Sequence, residues 1–84
     1  MQTINVRSIK QLGSVIRRHR KLQKISQIDL AKKAGVTQKT ISKIESDASK
    51  TTITTLLLIL TALNLDLTVT ERPVKNQNSL EGLF

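Results

Sequence analysis

Apolar residues first recur at helical spacing between Ser8 and about Gln23, where Ile9, Leu12 and Ile16 form one stripe and Lys10, Ser14, Arg17, Arg18 and Lys21 occupy the other side. Ser8 is suited to cap that helix. Arg20 interrupts the division, because it falls on the apolar stripe four positions after Ile16, and a cation there requires a partner. Ser26-Gln27-Ile28-Asp29 has the form of a capping box with Asp at the third helical position, so a short helix is predicted from Gln27 to Ala34 with Leu30, Ala31 and Ala34 inward. Gly35 ends it by supplying a left-handed backbone. Thr37 then caps a third helix, Gln38 to about Ser46. Its Thr40, Ile41 and Ile44 share one face, and Gln38, Lys39, Ser42, Lys43 and Ser46 share the opposite one.

After a polar connection, Thr52 is placed to cap a fourth helix running to about Asn64. Ile53, Leu56, Leu57, Leu60 and Leu63 are its predicted inner stripe, with Leu58, Ile59 and Ala62 on the reverse side. Such a helix is too apolar for a solvated exterior. Leu65-Asp66-Leu67-Thr68-Val69-Thr70 alternates with period two and predicts a half-buried strand. Its edge needs pairing, either with Thr3-Ile4-Asn5-Val6 or with the same strand of a second molecule. The second arrangement is favoured, since a two-fold axis there also covers the reverse face of helix four; Leu58, Ile59, Leu65, Leu67 and Val69 are the expected dimer contacts. The chain thus divides into an N-terminal arm (1–7), a helical domain (8–64), a dimerisation strand (65–71) and a tail (72–84) that is polar and expected to be mobile, yet ends in Leu80, Leu83 and Phe84.

Composition narrows the possibilities. At 84 residues there is one domain, small enough to gain stability from a partner. Phe84 is the only aromatic, so the core must be aliphatic. Residues 1–50 hold 12 basic and 3 acidic side chains, whereas residues 51–84 hold 2 and 3, which argues for a polyanion-binding front part. The absence of Cys removes disulfide, thiol and Cys-zinc chemistry and fits a reducing compartment. With His19 as the only histidine, no metal-ligand set is expected, and no cofactor. The longest apolar run, Leu56–Leu60, is far below the roughly 20 residues a membrane span needs, and no signal sequence is visible, so a cytoplasmic protein without membrane contact is expected. The six acidic residues show no paired arrangement and the three glycines no phosphate loop; an enzyme is not expected.

Two short helices joined by Ala34-Gly35-Val36-Thr37, the second with a polar outer face, describe a helix-turn-helix. A helix fits the DNA major groove, where amide, hydroxyl and ammonium groups reach base edges. The run from Ser26 to Glu45 (SQIDLAKKAGVTQKTISKIE) strongly resembles the Cro and lambda-repressor type of helix-turn-helix domain, over roughly residues 8–64. That resemblance implies an all-α bundle of four to five helices, supplemented here by one short C-terminal strand paired across a homodimer. It implies a buried ion pair between Arg20 and Glu45, which supplies the partner Arg20 requires. It also implies base reading by Gln38, Lys39, Ser42 and Lys43 with Thr37 at the start of the helix, and a phosphate grip by Gln27. Arg17, Arg18, Lys32, Lys50 and Thr51 are further phosphate candidates by charge and position.

Thr51-Thr52-Ile53-Thr54-Thr55-Leu56, the fourth helix, the strand and the apolar-ended tail look like the HipB-type antitoxins. Members of that family are dimers that repress their own operon and bind a HipA-type kinase toxin. The resemblance implies double-stranded DNA with a palindromic operator, a second copy and a kinase toxin as partners, with Leu80, Leu83 and Phe84 as a docking end. A stand-alone phage-type or metabolic repressor is the alternative. An RNA-binding module is disfavoured, because no aromatic platform exists for stacking unpaired bases.

Overall fold

Each of the four predicted caps is made. In the computed structural model, which describes residues 3–72, the side-chain oxygens of Ser8, Ser26, Thr37 and Thr52 accept the backbone N–H three residues ahead at 3.0–3.2 Å. These bonds satisfy donors that a helix start otherwise leaves orphaned. They open α1 (Ile9–Leu22), α2 (Gln27–Ala34), α3 (Gln38–Ser46) and α4 (Ile53–Ala62), with a short 3-10 turn at Ala48–Lys50 between the last two. The chain is an all-α helix-turn-helix bundle.

Three of the four α-helix ends follow one rule that only partly shows in the sequence, while α3 ends on an extended Asp47. α1, α2 and α4 each stop with a left-handed residue, Lys24 (φ 59°), Gly35 (φ 74°) and Asn64 (φ 61°). In each case the next N–H reaches back five residues: Ile25 to the Arg20 carbonyl (3.3 Å), Val36 to Ala31 (3.0 Å) and Leu65 to Leu60 (2.8 Å). This is the Schellman arrangement, in which an apolar residue after the left-handed position folds onto the helix it terminates. Ile25, Val36 and Leu65 all pack against the core accordingly. Three turns therefore double as core plugs.

The core is aliphatic. Ile16, Leu30, Ile41, Ile59 and Leu63 are fully buried at its centre, and Leu56, Leu60 and Ile44 surround them. α4 departs from the expected orientation at two points. Ile59 belongs to the interior of the protomer and is not available to a dimer contact, whereas Ile53 and Leu57, assigned to the inner stripe, lie exposed. A helix apolar on every side carries little information about its rotation, which the surrounding bundle sets. Gln23 Nε2 fixes the end of α4 to α1 by donating to the Leu63 carbonyl at 2.7 Å.

Residues 65–72 carry no helix, and among the described residues they form no paired strand. The Thr3–Val6 stretch does not pair with them. Instead Gln11 holds the arm against α1, donating from Nε2 to the Asn5 carbonyl (3.1 Å) and accepting the Arg7 N–H (2.7 Å). Leu80, Leu83 and Phe84 lie outside the described residues. No helix among the described residues is long and apolar enough to cross a membrane.

Gly13 brings α1 onto α3. A Cβ on this residue would collide with the Ile44 carbonyl oxygen and stand 3.3 Å from that of Glu45, both of them backbone atoms with little freedom to move. Gly13→Ala gains about 1 kcal/mol of helix propensity, but forcing the helices apart costs about 1–3 kcal/mol. Urea unfolding is expected to show a net loss of stability despite the better helix former.

Candidate nucleic-acid interface

α2 supports α3 through the Ala34-Gly35-Val36-Thr37 turn, and α3 buries Ile41, Ile44 and Glu45 against the bundle. Its outer side is left free. Gln38, Lys39, Ser42 and Lys43 are all exposed, one turn apart in pairs, so the structure brings the predicted base readers onto one surface. Thr37 stands at the start of that surface, but its hydroxyl is committed to the cap: it accepts the Thr40 N–H at 3.1 Å and shares a 2.9 Å hydrogen bond with the Thr40 hydroxyl.

Behind this face lies the Arg20–Glu45 ion pair. Arg20 Nε and Nη2 donate to the two carboxylate oxygens at 2.6 and 3.1 Å, and Nη1 donates to the Ile25 carbonyl at 2.9 Å. The side chains are only 11% and 4% exposed. Hydrogen bonding to Glu45 holds the Arg20 guanidinium above arginine's usual range; desolvation opposes this and the carboxylate's charge adds to it. No buried side-chain polar atom among the described residues is left without a partner.

Gln27 connects the pair to the surface. Its Nε2 donates to Glu45 Oε1 at 3.1 Å, and its Oε1 accepts from Gln38 Nε2 at 2.9 Å. Sequence reasoning places Gln27 near phosphate and misses this link, because nothing in spacing alone shows that two amides and a carboxylate from α2 and α3 converge.

The phosphate candidates scatter more widely. Arg17 follows the Gly13–Arg20 edge of α1 that faces α3. Arg18 instead lines a shallow cleft of about 90 Å³ with His19, Leu22 and the arm residues Thr3 and Ile4. Lys32 is exposed on α2, Lys50 is exposed and Thr51 half-buried after the 3-10 turn. Lys10, to which the sequence pattern gives no role, joins Lys50 near Asp47, since both lysines act electrostatically on that carboxylate. Asp47 is held below the usual carboxylate range chiefly by accepting the Ser49 backbone N–H at 2.9 Å. A depressed value means that this cap is intact above the ordinary carboxylate range and weakens as pH falls through the lowered one.

The helix-turn-helix family model matches residues 16–69 of the chain. Antitoxin HipB of Escherichia coli (strain K12) is 35% identical over 71 residues, which span 84% of this chain and 81% of the relative. The chain belongs to the helix-turn-helix family of antitoxin HipB. Among solved structures, a HipB–O2 20mer complex superimposes with a TM-score of 0.80 at 33% identity, covering 86% of this chain and all of that one. A HipA–HipB–O2–O3 complex gives 0.76 at 36% identity over 87% of this chain and all of the matched one. A restriction-modification controller protein gives 0.68 at 30% identity over 73% and 79%. The HipB-type fold is therefore shared along almost the whole described length.

On this scaffold the ion pair is worth most when its loss is one-sided. Arg20→Leu leaves the Glu45 carboxylate buried without its cation and is expected to cost about 3–5 kcal/mol, whereas Arg20→Leu combined with Glu45→Leu recovers most of that. Denaturant midpoints of the two variants check the difference.

Proposed function

We propose that the chain is a sequence-specific DNA-binding repressor that acts as the antitoxin of a toxin–antitoxin module, binding an inverted-repeat operator as a dimer and neutralising a HipA-type kinase. The observation that carries the DNA-binding part is the exposed row Gln38, Lys39, Ser42 and Lys43 on a helix whose other side is locked into the core. A Gln amide pairs bidentately with adenine, and Lys approaches guanine. Gln27, Arg17, Arg18, Lys32, Lys50 and Thr51 supply phosphate contacts that set position without reading sequence, and the structure adds Lys10 as a further candidate. The HipB–O2 20mer complex shares this fold at a TM-score of 0.80, which supports a nucleic-acid-binding use of the helix here. The HipA–HipB complex supports a kinase toxin as partner. In this reading the tail residues Leu80, Leu83 and Phe84 dock on the toxin.

Two copies place their recognition helices in successive major grooves about 34–36 Å apart. The structure offers a surface for that association. Lys33, Ala34, Thr54, Leu57, Leu58, Thr61 and Ala62 line an open groove of about 350 Å³ beside α4, and Val69 is 94% exposed in the unpaired 65–70 segment. Dimer contacts are accordingly assigned to Leu57, Leu58, Leu65, Leu67 and Val69, with Leu57 taking the place of Ile59.

Gln38→Ala is expected to reduce the ratio of operator to random-DNA affinity by about tenfold, the worth of one bidentate base contact. Arg17→Ala is expected to weaken both equally and to lower the salt slope by about one. Gel shifts across a salt series measure both, and equal losses on the two duplexes for Gln38→Ala would contradict the assignment. Leu58→Asp, at a site half exposed in the protomer, is expected to sediment as a folded monomer; an unchanged dimer places the interface elsewhere.

A further inference from the structure

The hydrogen-bond path from the core to α3 has a direction. Glu45 Oε1 receives Arg20 Nη2 and Gln27 Nε2, each at 3.1 Å, and a carboxylate paired with a guanidinium can only accept. An amide has one accepting end and one donating end. Because Gln27 must turn its nitrogen toward Glu45, its oxygen faces outward, and Gln38 must meet that oxygen with an N–H, as it does at 2.9 Å. Gln38 is left with one free N–H and a free Oε1. That pair matches the N7 acceptor and N6 donor of adenine and mismatches guanine, whose N7 and O6 both accept. Were Gln27 reversed, Gln38 would spend its oxygen inward and present two N–H groups, the pattern that suits guanine.

From this relay we infer that Glu45 is a specificity-positioning residue: its buried carboxylate fixes the amide polarity of Gln27, and through it sets Gln38 to choose adenine over guanine. The inference rests on the proposal that α3 reads DNA. Glu45 never touches the nucleic acid, and the second N–H of Gln27 remains free for a phosphate. A merely structural ion pair predicts something different, because then any damage to the pair should act through stability alone.

The test selects preferred duplexes from a random library with the full chain, identifies the base pair whose preference disappears in Gln38→Ala, and compares adenine with guanine there. Glu45→Gln, whose amide can either donate or accept, is expected to cut the adenine preference about tenfold at a temperature where circular dichroism shows the variant folded. Arg20→Lys damages the same ion pair but keeps the acceptor-only carboxylate, and is expected to lower the Tm while leaving the preference within about twofold, well inside the worth of one base contact. In a Gln38→Ala background Glu45→Gln should change nothing further at that base pair. Should Glu45→Gln fail to fold, Gln27→Met cuts the relay with the ion pair intact and is expected to give the same loss; any phosphate grip that Gln27 supplies weakens both duplexes alike and cancels in the ratio. Retention of the adenine preference in Glu45→Gln or Gln27→Met, or an equal loss in Arg20→Lys, overturns the relay. A wild-type selection that yields no position controlled by Gln38 rejects the DNA-reading role of α3 and the relay with it.

Discussion

The Arg20–Glu45 pair is the constraint on which the rest of the molecule turns. It joins the first helix to the third across the bundle, and it does so at a point where each partner would be costly alone. The guanidinium also takes the Ile25 carbonyl, so the same residue holds the turn that leads into α2. One side chain of α1 therefore ties down both α3 and the turn that leads into α2, the two helices of the helix-turn-helix. Gly13 makes the approach possible, since any side chain larger than hydrogen would hold α1 away from the backbone at Ile44 and Glu45. The ionic contact and the close backbone packing define one seam.

From that seam outward, the structure divides labour by exposure. The inner faces of α1 to α4 supply an aliphatic core with no aromatic member, tied at three corners by the apolar residues Ile25, Val36 and Leu65. The outer face of α3 bears side chains rich in hydrogen-bonding groups on a helix whose inner residues Ile41, Ile44 and Glu45 are buried. In the proposed reading of DNA by α3, preorganisation of this kind lowers the entropic cost of ordering that surface. The basic residues are spread more widely: Arg17 follows the edge of α1 that faces α3, Arg18 stands beside the N-terminal arm and Lys33 beside α4.

Much of this is legible in the sequence because it depends on short-range chemistry. Ser8, Ser26, Thr37 and Thr52 announce helix starts whatever surrounds them, and Gly35 announces a stop; the bounds Gln27–Ala34 and Gln38–Ser46 follow directly. Arg20 is conspicuous as a charge on an apolar stripe. What depends on tertiary neighbours is not legible. The rotation of α4 is hidden by its uniform apolarity, so Ile59 and Leu57 exchange places. Lys24 adopts a left-handed backbone that its side chain gives no reason to expect. The intimate packing at Gly13 and the convergence of Gln27, Gln38 and Glu45 need two elements to be in position first. The 65–70 alternation is a local signal whose partner, in the proposed dimer, belongs to another molecule.

In the proposed function, α3 is the surface that meets DNA. Amide chemical-shift mapping by NMR, with a duplex selected by the protein itself, addresses it most directly. The largest perturbations are expected across Gln38–Lys43 and at Gln27, with smaller ones at Arg17 and Lys50. Perturbations concentrated on α4 or the N-terminal arm, with the Gln38–Lys43 amides unmoved, would contradict it.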